Sequence, residues 1–225
     1  MKHDHLNGHL YLKYQVVRVS NFSDLIGFVG HAPVKSLSVP QAIYRSQHDL
    51  VFQIEVPIEV IMFHMMPPVI SNIVFGSILG LIKLLNPKIP VGIHLCLGDL
   101  NNESLAKIST LKSLVKFSNK LVDRLPATHK LEFMHFPLAE GKEPPVVEDS
   151  FYDELKKVKL PANTRFIAGF VHEKLSMEQH KHLLKNIENI RGERIEIACS
   201  CGMGRRTTEA ADQLLNIKKE LVEMD

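Results

Sequence analysis

Five short apolar runs in this chain each end on a residue that can bind a metal or move a proton. They are Phe52-Gln53-Ile54-Glu55, Gly92-Ile93-His94-Leu95-Cys96, Phe133-Met134-His135, Phe170-Val171-His172 and Ala198-Cys199-Ser200-Cys201. Side chains two apart on a strand share a face, so His94 with Cys96, and Cys199 with Cys201, can each point one way together. Polar groups at the C-terminal ends of several parallel strands converge on one mouth, which is where α/β barrels and open α/β sheets keep their chemistry.

From residue 51 onward, strand-like and helix-like segments alternate. Strands are predicted at 51–56, 91–97, 131–136, 164–172 and 194–201, and helices at 68–85, 103–125, 151–158, 176–190 and 207–224. Asn101 and Asn102 read as caps of the second helix, and Ser176 with Gln179 has capping-box spacing. Five β–α units in a row predict a parallel sheet with right-handed crossovers. The expected fold class is α/β, a partial (β/α)8 TIM-type barrel of about five units: an irregular N-terminal arm over 1–50, then the barrel domain over 51–225. A complete barrel typically takes about 250 residues, and the first fifty cannot supply three more units. Within the arm, 14–20 reads as a strand and 39–49 as a helix. An unpaired strand at 51–56 would be an aggregation-prone edge. The β-branched content of 14–20 makes it the expected partner there, with a homodimer as the next alternative.

Composition removes several function classes. A formal charge of +2 with no basic run gives no support for nucleic-acid binding. The apolar stretch 69–85 is interrupted by Ser71, Asn72, Ser77 and Lys83 and falls short of the about 20 residues a membrane span needs, so it reads as a buried helix and no membrane partner is expected. Residues 1–9 are polar and lack a signal-peptide core. Three cysteines cannot pair off completely, which favours a reducing compartment with free or metal-bound thiols, and a cytoplasmic location. Walker, Gly-x-Gly-x-x-Gly and Gly-x-Ser-x-Gly motifs are missing, so nucleotide kinases, dehydrogenases and serine hydrolases lose ground.

His94 and Cys96 carry the sharpest signal. On a strand their backbones stand about 7 Å apart on one side, and a mixed nitrogen and thiolate pair suits Zn²⁺. The bland alternative is a buried Cys beside a hydrogen-bonded His. Cys199 and Cys201 add a second thiol source at another strand end, where Gly202 and Gly204 let the chain turn; cysteines that merely fill space are the alternative there. His135 is a candidate fourth ligand or a core histidine. His172 is a candidate general acid. Glu55, two residues from Gln53 on one face, could grip a substrate ammonium or else needs a salt-bridge partner. Arg205 and Arg206 read as a solvated helix-end pair more readily than as an anion site.

With those residues in hand, the chain resembles the C-terminal catalytic barrel of the cobalamin-independent methionine synthases over roughly residues 50–220. The family's zinc-binding His-x-Cys looks like His94-Leu95-Cys96. Its Gln-Ile-Asp-Glu-Pro strand is similar to Gln53-Ile54-Glu55-Val56-Pro57, which places Glu55 where the family has the Asp that holds the amino-acid substrate's amine. Its late strand with a proton-donor His looks like Ala168-Gly169-Phe170-Val171-His172, and its terminal Cys-Gly looks like Cys201-Gly202. The family's third ligand is a Glu, where this chain offers His135. The family's early barrel strands and N-terminal domain have no counterpart here.

The resemblance implies zinc held by His94, Cys96, His135 and Cys201, with Cys199 as competitor for the last position. It further implies His172 as the acid and Gln53 with Glu55 at an amino-acid-like substrate. The partners would be a small-molecule thiol and a methyl donor, in a methyltransferase-like reaction that activates the thiol as a zinc thiolate. Two other readings remain open: a zinc-dependent hydrolase, and a truncated zinc-binding remnant without catalysis.

Overall fold

The computed structural model describes residues 15–19, 50–65, 71–100, 103–104, 107, 109–203 and 206–224. Six strands form one sheet in the order β1 (Gln15–Val19), β2 (Leu50–Glu55), β3 (Val91–His94), β6 (Leu131–Pro137), β7 (Arg165–Gly169) and β8 (Glu196–Ile197), each parallel to its neighbour. Two short strands, β4 (Asp99–Leu100) and β5 (Glu103–Ser104), pair antiparallel with each other outside that sheet. The helices are α1 (Pro57–Met65), α2 (Ser71–Leu84), α3 (Lys112–Val122), α4 (Met177–Arg191) and α5 (Thr208–Val222), with a 3-10 helix at Asp149–Lys157.

Partners in register on parallel strands lie on the same face, so the pairing sorts the sheet into two surfaces. One surface carries Phe52, Ile54, Ile93, Met134, Phe136, Phe166, Ala168 and Ile197, and all five helices pack residues into the same core. The other carries a small cluster of Val51, Phe133, Ile167 and Ala198, to which no helix contributes. Among the described residues the strands run in chain order with helices on one face only, which is the winding of a β/α barrel; a doubly wound sheet would put helices on both. The α/β expectation is met. The expected strand in the arm is also there: β1 runs beside β2 from Gln15 opposite Leu50 to Val19 opposite Ile54.

The helix-free face is layered. Toward the N-terminal strand ends, Arg165 bridges Glu132 at 3.0 Å and Glu196 at 3.1 Å. Glu132 is the residue skipped where the register of β3 and β6 shifts between Val91 and Gly92. In the middle the Phe133 ring occupies the space beside Gly92, where a Cβ would come within 2.1 Å of it. Toward the C-terminal ends lie Gln53, Glu55, His94 and His135, with Glu55 paired to His94 and His94 to His135. The apolar middle layer therefore separates two polar layers.

Several elements differ from their expected extents. An unforeseen helix, α1, starts directly after β2; Pro57, whose ring presets a helical φ, opens it and Val60 N–H bonds back to Val56 O at 3.0 Å. The helix expected over 103–125 shrinks to Lys112–Val122, because the chain after β3 folds into the β4–β5 pair first. Asn101 and Asn102, and the helix expected at 39–49, lie outside the described residues. The segment after the Pro-rich loop is a 3-10 helix, not an α-helix. The strand expected at 194–201 pairs only over Glu196–Ile197, although Ala198 still bonds to both Ala168 O at 2.9 Å and Val171 N at 3.0 Å. No helix among the described residues is long and apolar enough to cross a membrane.

Candidate metal centre

β3 ends at His94, and the chain then makes a tight turn instead of continuing as strand. Cys96 N–H bonds to His94 O at 2.9 Å, an i+2 to i closure, while Leu95 N–H reaches His135 O at 3.0 Å. The strand geometry expected for the His94–Cys96 pair is thus replaced by a turn that folds the thiol back beside the ring. Gly98 then takes a positive φ of 71°, a conformation that costs glycine nothing, and its N–H is directed at the Cys96 sulfur.

Cys201 arrives from the far side of the sheet. The chain leaves the ladder at Ala198 and turns, so that ligand atoms of His94, Cys96 and Cys201 all lie within 4.8 Å of one another. His94 and Cys96 are buried, and Cys201 is half-buried. Cys199 takes a different course: it is buried in the helix-side core, and burial raises its thiol pKa against the opposing charges of Lys218 and Arg206. Two cysteines two positions apart therefore serve different surfaces, where a continuous strand would have given them the same one.

The cluster's electrostatics disfavour its own ionisation. The Cys96 thiol is held far above its ordinary range, first by the hydrogen bond with Cys201, then by burial and by the charges of Cys201 and Glu55; the Gly98 N–H opposes them. Glu55 accepts a hydrogen bond from Gln53 Nε2 at 3.2 Å on the same face. A thiol whose ionisation is opposed by the thiol hydrogen-bonded to it, with an imidazole within reach of both, is part of a donor set that a cation reverses, since a coordinated thiol is deprotonated outright. One nitrogen and two sulfur donors match the preference of Zn²⁺.

His135 stands behind His94. The two Nδ1 atoms are 2.7 Å apart and the ring centroids 4.5 Å apart. Burial lowers the His135 pKa to about 4, partly offset by the Cys199 carbonyl. Its far edge faces Gly169, where a Cβ would come within 2.6 Å of Nε2.

His172 belongs to a second polar cluster. It is fully buried; its Nδ1 accepts from Lys174 N–H at 3.2 Å, so its proton sits on Nε2, which donates to Gly141 O at 3.3 Å. Its own N–H donates to Nε2 of His180 at 3.2 Å, and His180 Nδ1 donates to Ser176 O at 2.8 Å. Glu173 pairs with Arg206, whose other branch donates to Gly141 O at 3.0 Å. Burial lowers the His172 pKa; the Glu173 charge opposes that, and Arg206 and Lys174 add to it. Arg206 is thus a buried bracket, with a side chain only 4% exposed, where the sequence pointed to a solvated pair; Arg205 lies outside the described residues. Spacing gave no sign of His180 or Glu173 as partners of His172.

No protein-family model matches the sequence, and no curated protein matches it. The fold is similar to the solved structure of a B12-independent methionine synthase from Shewanella sp. W3-18-1 in complex with selenomethionine. The TM-score is 0.47 at 12% identity, over 76% of this chain and 48% of that one. The chain spans about half the length of that protein. A likeness this distant carries nothing about chemistry, which must rest on the residues themselves.

Proposed function

We propose that this chain holds zinc through His94, Cys96 and Cys201 and transfers a methyl group to a thiol substrate. The observation that carries the proposal is the meeting of those three side chains, from the end of β3 and the turns after β3 and β8, at the C-terminal mouth of the sheet. When bound, zinc supplies a Lewis acid able to keep a substrate thiol deprotonated at neutral pH. His94, Cys96 and Cys201 would supply three protein ligands, the number typical of catalytic rather than structural zinc.

Glu55, steadied by Gln53, presents a carboxylate next to Cys96, suited to the ammonium of an amino-acid-like thiol. In the transfer the sulfur–methyl bond forms as the donor–methyl bond breaks; the thiol loses its proton and the donor's leaving group takes one up. His172 is the residue proposed to manage that second proton. It holds one on Nε2 against Gly141 O, so donation requires that hydrogen bond to open. The motif order Gln53/Glu55, His94/Cys96, His172, Cys201 supports the reading.

Elemental analysis of zinc-replete purified protein should find one zinc per chain, lost in Cys201→Ala and kept in Cys199→Ala. Incubation with amino-acid thiols and candidate methyl donors should then give a thioether by mass spectrometry. Protein without zinc sinks the whole proposal, whereas zinc without thioether sinks only the transfer.

A further inference from the structure

A metal-bound imidazole has one nitrogen on the metal and a proton on the other, and that N–H needs an acceptor. Carboxylates and backbone carbonyls are the common acceptors. Beside His94 the group in place is another imidazole, with 2.7 Å between the two Nδ1 atoms. At that distance one Nδ1 must donate and the other accept. If His135 donated, the His94 proton would sit on Nε2 and block that atom as a ligand. If His94 donates, its Nε2 is released for the metal and the His135 proton is placed on its own Nε2, on the side of the Cys199 carbonyl.

The His135 ring has a built seat. It is almost fully buried, and Gly169 lies against Nε2 so closely that a Cβ would come within 2.6 Å of Nε2 and 2.8 Å of Phe136 O. Gly169 has an ordinary φ, so conformational freedom does not explain the glycine there. Space for the imidazole does.

We propose that His135 is the positioning residue of this metal centre: it accepts the Nδ1 proton of His94, turns His94 Nε2 to the metal beside Cys96 and Cys201, and is itself held by the gap at Gly169. The inference rests on the zinc reading and assigns His135 a place behind the ligands instead of among them.

Three proteins separate the outcomes: wild type, His135→Leu, which has no acceptor, and His135→Asn, whose amide oxygen can stand in for Nδ1. Each is titrated with zinc against a competing chelator and with cobalt(II), whose visible spectrum reports the donor atoms, and unfolding midpoints check that each is folded. The Leu variant should bind zinc about 10–100-fold more weakly with unchanged 1:1 stoichiometry. The Asn variant should recover most of the loss and keep the wild-type cobalt spectrum. ¹⁵N spectra of histidine-labelled wild type should show His135 neutral with its proton on Nε2, with and without zinc. Wild-type affinity in the Leu variant, a cobalt spectrum altered in the Asn variant, or a metal-shifted His135 nitrogen overturns the proposal. Wild type that binds no metal overturns the zinc reading as well, a result distinct from the other three.

Discussion

Two histidine clusters sit at the same end of the sheet and solve burial in opposite ways. Around His172 both ring nitrogens and most of the charge are answered from within, by Gly141 O, Lys174 N–H, His180 and the Glu173–Arg206 pair; Glu173 Oε2 is left without a hydrogen bond, 3.5 Å from His172 Nδ1. Around His94 the groups work against each other, since Cys201 and Glu55 both push the Cys96 thiol up. A buried network that satisfies itself fixes loops in place. A buried set of donors that suppress one another's ionisation is stabilised by a cation from outside. On the proposed reading the first is scaffold around a proton and the second a receptor.

The sharpest way to break that contrast is to remove one member of each cluster and measure zinc. Cys96→Ser should lower zinc affinity by more than about 100-fold, beyond the range for outer partners, because it removes a donor folded onto His94 by the turn at Leu95. Arg206→Met should leave one zinc per chain. Zinc retained in the first variant would mean that the Cys96 thiol is core packing and no ligand; zinc lost in the second would mean the two clusters are one functional unit.

Arg206→Met should instead appear in stability. It strands Glu173, whose side chain is 22% exposed, and removes a donor from Gly141 O. Breaking one side of such a pair costs about 2–4 kcal/mol, short of the fully buried case because Glu173 keeps some water. The double variant with Glu173→Gln should recover part of that loss, as read from denaturant midpoints. A loss equal in single and double variants would mean that packing of the Arg206 stem, not the stranded charge, is responsible.

The contrast between the clusters was half legible in the sequence. Alternation of apolar runs and helices announced the parallel sheet, and the polar residue closing each run announced the mouth, because strand period and strand end are local properties. The bend after His94 was not legible: spacing alone treats residues two apart as strand neighbours, and the turn depends on Leu95 N–H finding His135 O on another strand. The split between Cys199 and Cys201 was hidden for the same reason, since it follows from where β8 leaves the ladder. Arg206 looked solvated because its partner Glu173 is 33 positions away in sequence, a distance over which no local pattern speaks. Helix α4 was legible almost to the residue, since Ser176 and Gln179 are local signals for its cap; in the structure its stop is Gly192 in the left-handed region.

In the absence of metal both clusters should be pH-sensitive, since burial also lowers the His135 pKa to about 4, and the His172 network should carry a share of its own. Burial lowers the pKa of both His172 and His180 from the ordinary 6.5. A histidine whose folded pKa is depressed takes up protons more readily when unfolded. Its stabilising contribution is therefore complete above 6.5 and declines as pH falls below that value toward the lowered one. Unfolding free energy should fall between pH 7 and pH 5, and His180→Gln, which keeps an acceptor for His172 N–H, should flatten that slope. An unchanged slope in the variant would remove His180 from the account.

The smallest expected effect tests whether the loop carrying His172 is held at its far end. Ser176 caps α4 with a complete capping box: its hydroxyl accepts from Gln179 N–H at 3.2 Å, and Gln179 Oε1 accepts from Ser176 N–H at 2.9 Å. The carbonyl of the same residue fixes the His180 ring, which in turn receives His172 N–H, so one N-cap joins helix start to proton carrier. Ser176→Ala should cost about 1 kcal/mol, the usual value of an N-cap, seen as a shifted urea midpoint at unchanged slope. Zinc affinity should stay at the wild-type value, since these Ser176 contacts run to Gln179 and His180 and none to His94, Cys96 or Cys201. If thiol methylation falls by more than this stability loss explains, while zinc binding holds, the cap positions His172 for its proton and the scaffold cluster takes part in the reaction. If methylation is unchanged once the protein is fully folded, the cap serves the helix alone, and the division between receptor and scaffold stands.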